Sequence, residues 1–114
     1  MTTIKLGGKL PKDDDRNGLH SLYRDFVRDP SRSHVLIAIV DTAKIVNDIE
    51  NYDTIPQLRI LAIEPIDGDD AGTLRAMLQR HHADRTGNLE LPGDWEAVFT
   101  SMASPTLPGT EPGR

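Results

Sequence analysis

The chain has no cysteine. Disulfides and thiolate metal sites are therefore excluded, which suits a reducing compartment. Aromatics are nearly as scarce: Tyr23, Tyr52, Phe26, Phe99 and Trp95 are the complete set among 114 residues. A base-stacking platform needs more of them. No apolar run approaches the roughly 20 residues of a membrane span, and the first ten residues (MTTIKLGGKL) lack the apolar centre of a signal peptide. The expectation is a protein of the cytoplasm with no membrane partner.

What is present is dominated by two apolar stretches, His34 to Val40 (HVLIAIV) and Leu58 to Ile63 (LRILAI). Runs of this length rich in Val, Ile and Leu, bounded by Asp, Pro and Gly, read as strands at the centre of a sheet. Val35 to Val40 is expected to be the buried half of a longer strand. Beyond Val40 the odd positions (Ala43, Ile45, Ile49) stay apolar and the even ones turn polar (Thr42, Lys44, Asp48, Glu50), which describes a wetter extension. A short helix after Asp41 with Ala43, Val46 and Ile49 on one side competes for residues 41–50. The strand is preferred because Asn51 to Thr54 supplies a hairpin tip. In that register Ile45 lies near Ile60 and Ala43 near Ala62.

Around this hairpin, Ile4, Leu6 and Leu10 alternate with polar residues, an edge strand over residues 3–10 that Gly7 and Gly8 would bend. Leu19, Leu22, Tyr23, Phe26 and Val27 predict a helix over residues 16–28. Leu74, Met77, Leu78 and His81 form an apolar stripe on a second helix, closed by Gly87. Trp95, Val98, Phe99 and Met102 form another on a third. The predicted class is α+β: an antiparallel sheet with a long central hairpin, helices packed on one face, in the order β-α-β-β-α-α. One domain is expected over residues 1–103, followed by a disordered Pro/Gly-rich tail over 104–114.

The chain carries 18 acidic against 13 basic residues, a net charge of −5. Residues 35–70 hold eight Asp/Glu and two Lys/Arg, so the acid is concentrated around the hairpin. A partner there would be basic rather than a phosphate backbone. The candidate contact surface is Asp48, Glu50, Tyr52 and Asp53, with an aromatic at an exposed tip.

Other chemistries find less support. Asp13 to Gly18 (DDDRNG) fits the first half of a calcium loop, but Arg24 stands where a bidentate Glu belongs. His81 and His82 are adjacent, so on a helix they diverge by about 100° and do not grip one ion; His81 is expected half-buried and His82 exposed. There is no GxSxG elbow, P-loop or GxGxxG. Asp41 and Glu64, at similar levels of neighbouring strands, would be the acids of a metal-dependent hydrolase or nuclease. Arg24 and Arg28 on the first helix, and Arg75 and Arg80 with Gln79 and His82 on an outer face of the second, would serve a weak, salt-sensitive nucleic-acid contact. No cofactor, metal site or catalytic residue is assigned.

From His34 to Gly87, LRILAIEPI with its following acidic turn, TLRAMLQRHHADRTG, and then LELP, the chain resembles a group of small proteins encoded by phages of actinobacteria. The resemblance covers about half the chain and rests on hydrophobic pattern. It implies a viral accessory protein in a bacterial host cytoplasm, acting by binding and carrying no assigned site. Together these readings predict a non-enzymatic protein that binds a host or phage protein through the acidic hairpin, with a homodimer as a further expectation.

Overall fold

The structure, a computed structural model, describes residues 3–103; the tail expected over 104–114 lies outside them. The class is α+β. The described elements are β1 (Lys5–Leu6), α1 (Tyr23–Arg28), β2 (Leu36–Asp48), β3 (Asp53–Pro65), α2 (Ala71–Thr86) and α3 (Gly93–Ala103), with three short 3-10 turns. The chain divides into two compact units. One comprises Leu36–Pro65 with the chain up to Arg32; the other comprises Ser33–Val35 with the chain from Ile66 onward.

In the first unit the strands lie in the order β1-β3-β2. The sheet is mixed rather than antiparallel, because β1 runs parallel to β3 through Lys5 opposite Gln57 and Leu6 opposite Leu58. β1 ends where Gly7 donates its amide to the Leu58 carbonyl at 2.8 Å. A Cβ at Gly7 would stand 3.1 Å from that same oxygen, so the close approach suits glycine.

β2 and β3 form a hairpin with thirteen residues on each side. Its register differs from the expected one: Ala62 faces Ile39, Ile60 faces Val40, and Ile45 faces Pro56. The loop closes earlier in the chain, which moves Ile45 from Ile60 to Pro56, and two offsets also interrupt the ladder. Leu61 is an extra residue in β3 between Ile39 and Val40 of the partner strand, and Ala43 is an extra residue in β2 between Thr42 and Lys44. Because consecutive side chains of β3 alternate faces, Thr42 (opposite Leu58) and Lys44 (opposite Gln57) lie on opposite faces of the sheet. The odd-position apolar pattern therefore does not mark one face.

The burial order is also reversed. β3 is central and carries Ile63, 5 % exposed, whereas Leu36, Ile37, Ile39 and Val40 of the first apolar run retain 38 %, 47 %, 62 % and 44 % exposure. An edge strand is flanked on one side only, and hydrophobicity by itself does not say which of two apolar strands takes the middle.

The predicted first helix is mostly 3-10. Asp13 caps a turn over Asp14–Arg16, Asn17 caps a second over Gly18–Leu22, and only Tyr23–Arg28 is α-helical. Gly18 is a poor helix former, and Ser21 donates its hydroxyl back to the Gly18 carbonyl at 3.0 Å. Asn17 is buried with both ends of its amide satisfied, donating to the Pro11 carbonyl at 3.0 Å and accepting from the Leu19 amide at 2.9 Å. It bridges in parallel to Ile63, which brings Leu19, 8 % exposed, into this unit's small core.

In the second unit Ala71, Phe99 and Met102 form the core, with Val35, Ile66, Leu74 and Val98 packed against it. α2 ends at Gly87, whose φ of 77° is left-handed and whose amide reaches the Ala83 carbonyl. The expected stripe on α2 is displaced: Met77 and Leu78 are exposed. Arg75, Gln79 and His82 instead meet the segment that follows. Arg75 forms two bonds to the Glu96 carboxylate, at 2.5 and 2.6 Å, Gln79 donates to the Leu89 carbonyl at 2.8 Å, and the His82 ring stands edge-on to Trp95 at 5.7 Å. The half-buried histidine is therefore His82, and His81 is exposed, the reverse of the expectation. α3 supplies a carboxylate and an aromatic ring, so polar side chains of α2 find partners at the contact.

Candidate functional site at the hairpin tip

The last pair of the hairpin is Asp48 opposite Asp53, and the loop is Ile49–Tyr52, two residues earlier than the sequence suggests. Asp48 explains the shift. Its carboxylate accepts from the Glu50 amide at 3.1 Å, the Asn51 amide at 3.3 Å and the Asn51 side-chain amide at 2.8 Å. These donors, the Asn51 side chain first, hold the Asp48 carboxyl below its ordinary range. Asp48 thus stays ionised and closes the loop.

Of the four candidate residues, the structure brings all to one end of the hairpin and divides their work. Asp48 is half-buried and committed to the turn; Glu50 is exposed; Asp53 is half-buried beside Asp48. Tyr52 is 94 % exposed and sits at a φ of 52°, the one non-glycine residue among those described with a positive φ. Ile49 beside it is 81 % exposed. The tip is therefore an apolar and aromatic pair rimmed by acid. Sequence reading missed Ile49 because it counted that residue as the last of a strand face.

The other candidates separate. Asp41 does not share a level with Glu64: Glu64 faces Ile37, and Asp41 faces Arg59. The Arg59 guanidinium donates to both Asp41 oxygens, at 3.0 and 2.7 Å, and that bond holds the Asp41 carboxyl low and raises Arg59. A carboxylate paired in this way is not free to share a proton or a cation with Glu64. The residues that resemble half a calcium loop serve as caps, Asp13 for the Asp15 amide and Asn17 for the Leu19 amide, while Asp14 pairs with His20 at 3.0 Å. Among the described residues no group of three or more His, Asp or Glu could hold a metal ion.

The arginines also divide. Arg24 and Arg28 are exposed on α1 in the first unit, and Arg80 is exposed on α2 in the second. Arg75 is spent on Glu96, which raises it and lowers the carboxyl. The expected basic outer face of α2 accordingly loses Arg75, Gln79 and His82 to the contact with the segment after it.

Among the described residues no helix is long and apolar enough to cross a membrane. Compared with protein-family models, with curated proteins and with solved structures, the chain matches none.

Proposed function

We propose that this is a non-enzymatic accessory protein, of the kind its resemblance to phage proteins implies, that binds a host or phage protein through the hairpin tip. The observation that carries the reading is Tyr52. A bulky aromatic in the left-handed region costs about 1 kcal/mol or more relative to glycine or asparagine, and here it buries nothing in exchange. Such a residue is retained for what it meets outside the chain. Glu50 and Asp53 around it favour a basic partner surface with an apolar recess for the ring.

The test separates stability from binding. Tyr52→Asn keeps a residue that tolerates the left-handed region, so the variant should be more stable by about 0.5–1 kcal/mol. It should also lose a partner that the natural chain captures from host lysate, as should the double reversal Glu50→Lys/Asp53→Lys. An unchanged partner set in both variants would sink the reading. The alternative, a nucleic-acid contact through Arg24 and Arg28 of α1, predicts a low-salt gel shift that Arg24→Ala/Arg28→Ala weakens and the tip variants do not.

A further inference from the structure

We infer that Asn17 is a self-modification site: the closed 3-10 segment around it suppresses loss of its side-chain amide as ammonia, opening of that segment permits the loss, and the product no longer fits the fold. The inference is independent of the tip reading and uses residues of the first unit only.

The chain has four asparagines, and one of them, Asn17, is followed by glycine; Asn47, Asn51 and Asn88 precede Asp48, Tyr52 and Leu89. The following residue matters because its amide nitrogen is the nucleophile. That nitrogen gives its proton to hydroxide and attacks the asparagine Cγ. A C–N bond forms, the side-chain nitrogen leaves as ammonia with a proton returned from water, and a five-membered cyclic imide remains. Water then opens the ring at either carbonyl, giving aspartate or isoaspartate, in which the main chain runs through the side-chain carboxyl. The net change is one water consumed and one ammonia released, with nothing oxidised or reduced. Glycine places no Cβ beside the attacking nitrogen and lets the backbone reach the conformation that the ring demands. By sequence, Asn17 is therefore the most reactive of the four.

The fold inverts that order. Asn47, Asn51 and Asn88 are exposed, whereas Asn17 is 6 % exposed. Its side chain is held at both ends, Nδ2 donating to the Pro11 carbonyl at 3.0 Å and Oδ1 accepting from the Leu19 amide at 2.9 Å, and its backbone bridges to Ile63. Ring closure needs the Gly18 nitrogen to eclipse Asn17 Cβ, which for a tetrahedral Cα means a ψ of about −120°, outside the allowed regions. Asn17 is held at a ψ of 97°, which turns that nitrogen away from Cβ. The Glu64 carboxylate also lies over Gly18, where an added Cβ would meet it, and its negative charge opposes removal of the amide proton. Attack waits for the segment to open, so its rate reports the fraction of molecules that are open.

The product does not close again. An aspartate oxygen in place of Nδ2 would face the Pro11 carbonyl, acceptor against acceptor, and would bring a charge into a buried site. Isoaspartate would lengthen the main chain between the bridge to Ile63 and the cap of the Gly18–Leu22 turn. Either product loosens the segment that carries the buried Leu19.

The full chain is to be incubated at mildly alkaline pH, in buffer and in urea above its unfolding midpoint, with all four asparagines followed by peptide mass spectrometry after digestion in acid. In urea Asn17 should gain the mass of an amide-to-acid exchange ahead of Asn47, Asn51 and Asn88, and in buffer it should react about tenfold or more slowly than in urea. Gly18→Ala, compared in urea where folding plays no part, should slow the reaction at Asn17 by about tenfold. Asn17→Asp, which supplies one product directly, should have a lower urea midpoint than the natural chain. Equal rates at Asn17 with and without urea would overturn the inference, as would earlier reaction of another asparagine in urea, an undiminished rate in Gly18→Ala, or a natural urea midpoint in Asn17→Asp.

Discussion

Glycine-to-alanine substitutions at the two ends of α2 should move stability in opposite directions, although neither added methyl meets anything. A Cβ at Gly72 or at Gly87 would find no atom within 4 Å, so packing is the same at both and the backbone alone decides. Gly72 lies in the first turn of α2, where alanine is the better helix former. The full interior preference is about 0.8–1 kcal/mol, and about half of it applies in a first turn, giving a gain near 0.5 kcal/mol. Gly87 is held at a φ of 77° as the left-handed C-cap. An L-residue there costs about 1–2 kcal/mol, offset by about 0.4–1 kcal/mol from the stiffer unfolded chain, for a net loss of about 0.5–1 kcal/mol. At roughly 4–8 °C per kcal/mol for a chain of this size, thermal melts followed by far-UV circular dichroism should show Gly72→Ala up by about 2–4 °C and Gly87→Ala down by at least as much. Gly87→Asn should fall between Gly87→Ala and the natural chain. Melting shifts of the same sign for both alanine variants would refute the assignment of the cap.

Phe99, 6 % exposed at the centre of the second unit's core, should cost about 3–5 kcal/mol when cut to alanine, read as a lower urea midpoint. Asp41, Asp48 and Glu96 all have their folded-state pKa lowered, chiefly by hydrogen bonds from Arg59, Asn51 and Arg75. The unfolded chain then binds more protons than the folded one as pH drops through the ordinary carboxylate range of about 4. The stabilisation is complete above that range and disappears below it, towards the lowered values. Denaturant titrations from pH 7 to pH 3 should show this fall, and Asp41→Asn with Glu96→Gln should flatten it. Gly18→Ala should be tolerated within about 0.5 kcal/mol, because the new methyl displaces only the end of the exposed Glu64 side chain. Gly7→Ala should cost more, since there the obstacle is the Leu58 backbone carbonyl.

The hairpin and the two later helices were legible because their signals are local: two apolar runs, an acidic turn, and a glycine after a helical stripe. What pairs with what was not. Nothing near Val35–Val40 records that β3 rather than β2 has a neighbour on each side, since that depends on Lys5 and Leu6, some fifty residues before Gln57 and Leu58. Leu74 packs inward as its place in the stripe suggests, but Met77 and Leu78 do not, although they outrank Arg75 and Gln79 on any scale of hydrophobicity. Glu96 and the Leu89 carbonyl reversed the order by offering those polar groups partners. At the tip, the residues could be named from composition, but the role of Asp48 as the acid that closes the loop needed its three hydrogen bonds.

The two extra residues of the hairpin also act together. Leu61 throws the ladder out of phase and Ala43 restores it, so that Val40, Asp41 and Thr42 alone sit in a displaced window while the strands on either side keep one common register. In an unbroken ladder Asp41 would stand against Ile60, and Arg59 against Thr42. The bidentate ion pair exists only inside the window, where it acts as a latch on the slipped phase. Without both insertions the same thirteen-residue strands would close, but the latch would have nothing to hold.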